Sequence, residues 1–523
     1  MPGSLRALAL LFSAAVSCAS LQGQNISSAY EKALAYVRQG SFDRAVPLLE
    51  EIVRSTPGSL KARDLLGIAL SSLGRREEGN VQFRKALEVD PNFAPVLKNL
   101  ALNELALGQY KDAGIHFDHA LKASPQDPAL HFGLGEVDFS LKEYAQALNQ
   151  YDQCGGMYLQ DPQSTLRYAE SAVKAKKPAA AVAALDRLTP QADSKVHFEA
   201  GLLLAQAEQY QAAARHFQAA AASYPDAYAV GYNLVLTYQK AGEHALAIET
   251  GEQLLAHGYR KAELYNLLSQ SYDREQRTKD AYNALRSAAE IEPRDENNYV
   301  DLVSLCVDHE NYDLALEISD SGLHAIPQSY RLRLERAVVL AMKGSLEDAE
   351  RECMLAAKSS PQENLAMVVL ALIRFQMNKI PEAIQMLRAR HRLNRNDYLS
   401  GWFLGEALSR QGAEPGSPEE KEAVLALEDA VRVNPNAGPA LTLLGKFLVK
   451  RGDVDRATDA FERALKLDPG DIAAAYQLAF LCRKRGDTQR ADELFAKVSQ
   501  AKAEDRDQTA KKNLVRIIRE EAR

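Results

Sequence analysis

The sequence predicts an all-α protein, a solenoid of about fourteen helix–turn–helix hairpins closed by a C-terminal capping helix. Three observations predict it. Prolines recur 34 residues apart, at Pro57, Pro91 and Pro125, at Pro293, Pro327 and Pro361, and at Pro435 and Pro469. Between them apolar residues repeat at i, i+3, i+4 and i+7, which marks one helical face. No stretch of strand-like alternation is long enough for an α/β domain.

Gly438 to Asp471 shows the unit most clearly. Leu441, Leu444, Gly445 and Leu448 lie on one face of a first helix. Lys450-Arg451-Gly452 supplies basic residues and a glycine where that helix should end. Asp453 or Asp455 can cap a second helix, whose apolar stripe is Ala457, Phe461, Ala464 and Leu465. Pro469 stops it. This order resembles the tetratricopeptide repeat, a 34-residue unit with the pattern W-x2-L-G-x2-Y, A-x3-F and P. The resemblance covers Ile26 to about Asp505. It implies a right-handed superhelix that binds other proteins and is not an enzyme. The fold hosts many roles, so the resemblance does not name a partner.

Taken in order, the chain opens with Arg6 before an apolar run from Ala7 to Val16, then small residues at Ser17, Ala19 and Ser20. That is the layout of a secretory signal peptide over 1–19, cleaved after Ala19, and it predicts an extracytoplasmic (periplasmic or secreted) protein. The run is too short for a comfortable membrane span. Ala15-Val16-Ser17-Cys18 also resembles a degenerate lipoprotein box, which would lipidate Cys18 and tether the chain to an envelope surface.

The best-matched repeats share core positions: Leu66-Gly67, Leu70, Phe83 and Ala86 in one, Ala200-Gly201, Leu204, Ala213 and Phe217 in another. Small residues let paired helices approach, and no repeat buries its apolar face alone. Glu104 and Asp138 depart from the pattern, standing where tyrosine or leucine belongs. Pro125, Pro162 and Pro190 are irregularly spaced, and Cys154-Gly155-Gly156 breaks a helix. This leaves two readings, a joint between sub-arrays 26–161 (four repeats) and 162–505 (ten repeats), or drift in a tolerant repeat. Ala413 to Glu420 is an insertion whose Pro, Gly and Ser content predicts a surface loop. Over 506–523, Leu514, Ile517 and Ile518 form the stripe of the expected capping helix.

Composition excludes several functions. A net charge of −7 over 523 residues argues against broad nucleic-acid binding, which needs a basic surface. Cys306, Cys353 and Cys482 occupy core positions and read as small hydrophobes rather than a disulfide framework or zinc site. His116, His119 and His131 read as solvated helix-face residues. No P-loop, GxSxG or nucleotide fingerprint appears, so no cofactor, metal or catalytic residue is expected.

The resemblance instead points to the concave groove, lined in this family by first-helix positions two, five, six, nine, twelve and thirteen. Carried onto this chain, these are Leu334, Val338, Met342, Val368, Leu372, Phe375, Trp402 and Phe403. Such an apolar wall, with the sole tryptophan, is either a partner-binding patch or inter-repeat core. Asn99, Asn233 and Asn266 lie at or beside inner positions where related arrays hold a peptide backbone. The family's carboxylate clamp is not expected, because Lys98 fits but Leu102 stands where asparagine is needed. Lys446, Lys450, Arg483 and Lys484 form a basic inner stretch that suits an acidic segment or simply faces solvent. The expected function is a scaffold or adaptor holding extended or helical partner segments, with self-association open. Its rivals are a lipid-anchored envelope assembly or secretion component and a substrate-selecting subunit for a separate glycosyltransferase.

Overall fold

The computed structural model describes residues 27–189, 192–360 and 365–504. The leader 1–19 with Cys18, the markers Pro190 and Pro361, and the expected cap 506–523 lie outside the described residues. Twenty-eight helices pair into hairpins, and no strand occurs among the described residues. The chain divides into two compact units, Met1–Tyr259 and Arg260–Arg523.

In the first unit the opening helix spans residues 27–38 and pairs with Phe42–Ser55. Further hairpins follow, among them Leu60–Ser72 with Arg76–Leu87, Ala94–Ala106 with Tyr110–Ala123, and Pro128–Ser140 with Tyr144–Gln153. In the three hairpins from Leu60 to Gln153 each helix packs on its partner and on a helix of the next hairpin. Starts are set locally: Asp127 accepts the Ala129 N–H at 2.9 Å, and Pro128 follows at the first helical position. The turn inside a hairpin needs one left-handed residue, and Lys142 adopts φ 63° there.

The second unit repeats the plan through Gly438–Arg451 with Val454–Leu467 and Ile472–Lys484 with Thr488–Glu504. Gly452 ends the first of these helices at φ 82°. Gly445 is required for packing, since a Cβ there would lie 2.5 Å from Phe461 Cε1. Phe461 itself is fully buried, worth roughly 1.5–3 kcal/mol of hydrophobic stabilisation.

Two irregularities have local causes. Gly155 and Gly156 take φ 62° and 80° and lead into a 3-10 turn, Met157–Gln160, where Tyr158 stacks on Tyr168 at 4.0 Å. The helices either side, Tyr144–Gln153 and Pro162–Lys174, still pack together, so the 161/162 boundary lies within the first unit. The insertion is shorter as a loop than its composition suggests. Ser417 accepts the Glu420 N–H, Pro418 starts a 16-residue helix, and Glu420 is buried. Only residues 412–417 are loop.

Cys154, Cys306, Cys353 and Cys482 are buried free thiols. Burial pushes the Cys306 thiol up to about 11 and Cys353 to about 12, which makes both poor nucleophiles. The histidine expectation needs correction. His131 is buried, with Nδ1 2.7 Å from Gln150 Oε1 and Nε2 3.0 Å from the Pro125 carbonyl oxygen. His116 Nδ1 lies 2.7 Å from Glu104 Oε2. No group of three metal-ligating side chains occurs among the described residues. No described helix is long and apolar enough to cross a membrane.

Candidate partner-binding face

The apolar wall expected in the groove is mostly core. Leu334, Val338, Val368, Phe375 and Phe403 are all buried. The next hairpin covers each: Leu334 and Val338 share a core with Ala366, Val369 and Ile373, and Val368 and Phe375 share one with Leu399 and Phe403. Met342, Leu372 and Trp402 are half-buried against the same cores, and the Trp402 ring sits 4.6 Å from that of Phe403. Close stacking of the hairpins, rather than an open channel, decides the fate of these positions.

The asparagines serve the chain itself. Asn99 Nδ2 donates to Asp64 Oδ1 at 2.8 Å, and Asn266 Nδ2 to Asn298 Oδ1 at 2.9 Å. Both bonds tie neighbouring first helices together. Asn233 donates to the Ala229 carbonyl one turn back. Lys98 Nζ lies 3.4 Å from Asp127 Oδ2, while Leu102 is exposed.

The same register positions look different on the hairpin Ile472–Lys484 and Thr488–Glu504. Its fifth and ninth first-helix residues are Tyr476, 39% exposed, and Phe480, 49% exposed. Within the described residues no later hairpin covers them. Their rings interlock edge to face at 4.8 Å, and Phe480 meets Phe495 at 5.3 Å and 88°. The Arg483 guanidinium lies 4.9 Å over Phe495 and pairs with Asp492 at 2.7 Å. Lys446 and Lys450 on the adjoining first helix, with Lys484, make no ion pair among the described residues. The arrangement is a half-exposed aromatic cluster on a helix that ends in Lys484 and packs on the helix carrying Lys446 and Lys450, with Lys450 Nζ 5.7 Å over the Phe447 ring. The basic stretch was legible in the sequence, although Arg483 proves to be paired. Tyr476 and Phe480 were missed, and carrying groove positions five and nine onto this last described hairpin finds them.

One arrangement elsewhere has the composition of a hydrolytic triad. Ser400 Oγ lies 3.5 Å from His391 Nδ1, and His391 Nε2 lies 3.3 Å from Asp429 Oδ2. Ser400 is 1% exposed and gives its proton to the Asp397 carbonyl at 2.9 Å, so it is neither aimed at the imidazole nor open to a substrate. A cleft of about 530 Å³ adjoins His391, but its Arg388 is clamped by Glu422 at 2.6 and 2.7 Å.

Family models described as "Tetratricopeptide repeat" match residues 30–88, 65–128, 98–153, 198–258 and 421–472, residues 262–295, and residues 448–513. The "Peroxisomal targeting signal receptor" of Candida glabrata is 28% identical over 88 residues, 17% of this chain and 15% of that receptor's length. Among solved structures, yeast Tom70 is 16% identical with a TM-score of 0.40, covering 95% of this chain and 96% of that one. The Cut9–Hcn1 hetero-tetramer of the APC/C matches at 11% identity and TM-score 0.34, covering 86% and 95%. MamA matches at 22% identity and TM-score 0.27, covering 32% of this chain and 93% of its own.

Proposed function

The chain belongs to the tetratricopeptide repeat family, and from that premise we propose that it is a non-catalytic scaffold holding an acidic amphipathic helix of a partner protein. One observation carries this reading: Tyr476 and Phe480 stand half exposed on a helix that ends in Lys484 and packs on the helix carrying Lys446 and Lys450. Aromatic side chains give large contact area at small entropic cost, and the lysines select against basic partners. Half-buried Trp402 serves the core in this account, not the contact.

The export reading rests on residues 1–19 and on Cys18, and the proposal keeps it: the mature chain begins after Ala19 outside the cytoplasm. The intact mass of the purified native chain tests this, because lipidation at Cys18 adds acyl mass and retention of the leader adds its residues.

A photo-crosslinking phenylalanine analogue at position 480 tests the binding face, with the same group at exposed Leu393 as control. The proposal expects discrete adducts from position 480 that disappear when Lys446, Lys450 and Lys484 are changed to glutamate. Equal adducts from both positions, or adducts that survive charge reversal, overturn it.

A further inference from the structure

The eleventh residue of each first helix is a core position, filled by Leu70, Leu204, Leu408 and Leu448 where the pattern holds. Three hairpins place a charge at this register position: Glu104, Asp138 and, 34 residues beyond Leu340, Arg374. Two of these have counter-charges inside the chain. Glu104 is fully buried and meets Arg84 Nη2 at 3.3 Å and His116 Nδ1 at 2.7 Å. Arg374 Nε meets Glu350 Oε1 at 2.9 Å.

Asp138 does not. Moving one repeat of 34 residues along, Arg84 becomes Asp118 and His116 becomes Gln150. The Gln150 amide oxygen is already taken by His131. Asp138 is 8% exposed, and its carboxylate has no hydrogen-bond or ion-pair partner among the described residues. It lines a cleft of about 340 Å³ together with Asp118, Leu134, Gln146, Asn149 and Gln150. Aspartate is smaller than leucine or tyrosine, so the pattern's missing volume is left open to solvent. Burial, with Glu143 and Asp118 as like charges, pushes Asp138 up to about 7, the cost of a carboxylate lacking its cation.

We propose that this cleft receives one cationic side chain, lysine or arginine, presented by a partner polypeptide and held against Asp138 and Asp118. The guest's charge takes the place that Arg84 fills one hairpin earlier. The site lies wholly in the first unit, so it stands or falls independently of the aromatic face around Phe480.

The test uses the full-length chain and fluorescent, end-capped pentapeptides Gly-Gly-Xaa-Gly-Gly, with arginine, lysine or neutral citrulline at Xaa, read by anisotropy. Arginine and lysine peptides should bind saturably, and citrulline at least about tenfold more weakly, the scale of one charge-assisted hydrogen bond. Asp138→Asn should weaken the charged peptides by a similar factor. Asp118→Arg supplies an internal cation, so it should abolish binding while raising the melting temperature, which separates occupancy from unfolding. Equal binding of arginine and citrulline peptides, or unchanged binding in a folded Asp138→Asn chain, overturns the proposal. Butylguanidinium binding as tightly as the arginine peptide overturns the polypeptide as the source of the cation.

Discussion

Arg84 of one hairpin reaches Glu104 of the next, Nη2 to Oε1 3.3 Å, and so places a compensating charge beside a carboxylate that has no exposure to solvent. His116 closes the other oxygen at 2.7 Å. A charge at this core position therefore depends on the preceding hairpin for a partner. Arg84→Ala should lower stability by about 2 kcal/mol, because it strands a buried charge. Adding Glu104→Leu should restore most of that loss, since leucine fits the position. Urea melts of the two variants check both statements.

The uncompensated counterpart should behave in the opposite sense. Asp138→Leu should stabilise the chain by about 1–2 kcal/mol at pH 8 by filling space and removing a buried carboxylate. Asp138 titrates near 7 when folded, above its ordinary 3.8, so the protonated acid favours the folded state. Its cost is absent below pH 3.8, grows as pH rises and is complete above about 7. The stability gap between Asp138→Leu and the parent should widen from pH 4 to pH 8, and a flat gap contradicts the assignment.

His216 supplies an acid limb. It faces His197, Nδ1 to Nδ1 at 3.1 Å, and its Nε2 is buried with no hydrogen-bond partner among the described residues. Burial, then the charge of His197, holds it down to about 4, against 6.5 in the unfolded chain. The neutral ring's contribution is intact above pH 6.5 and is lost as pH falls towards 4. His216→Gln should flatten that acid slope in thermal melts between pH 6.5 and 4.5, leaving stability at pH 8 within about 1 kcal/mol of the parent.

Packing in the second unit is equally specific. Gly445→Ala forces its methyl into Phe461 and should cost about 1–3 kcal/mol, with Phe461→Leu recovering part of it. Trp402→Ala should cost about 2 kcal/mol, less than for a fully buried tryptophan, because the side chain is only partly buried against its core. As the sole tryptophan, Trp402 also makes fluorescence a report on this unit alone.

The hairpins were legible because spacing, glycines and caps all follow from local chemistry: Pro469, Gly445 and Asp471 each act within a few residues of their own position. The site was legible only in part. Val338 and Phe480 share one register position, yet one is core and the other half exposed. Leu102 holds the same position and is also exposed, so burial there is decided by how closely the neighbouring hairpin packs, and a side-chain pattern within one repeat does not carry that information. Asp138 was visible as a departure from the pattern. Its significance emerged only when Arg84 and Asp118 were seen to hold corresponding places on adjacent hairpins.

The central claim is that partners are held at Tyr476 and Phe480 rather than at Trp402. Quantitative co-purification of the tagged, full-length chain from its native cells, compared with Tyr476→Ser/Phe480→Ser and with Trp402→Phe, tests it most directly. The account predicts that the double variant keeps its melting temperature within a few degrees and loses its specific partner by about tenfold or more, while Trp402→Phe retains it. Full retention by the double variant, or selective loss with Trp402→Phe, would contradict the account.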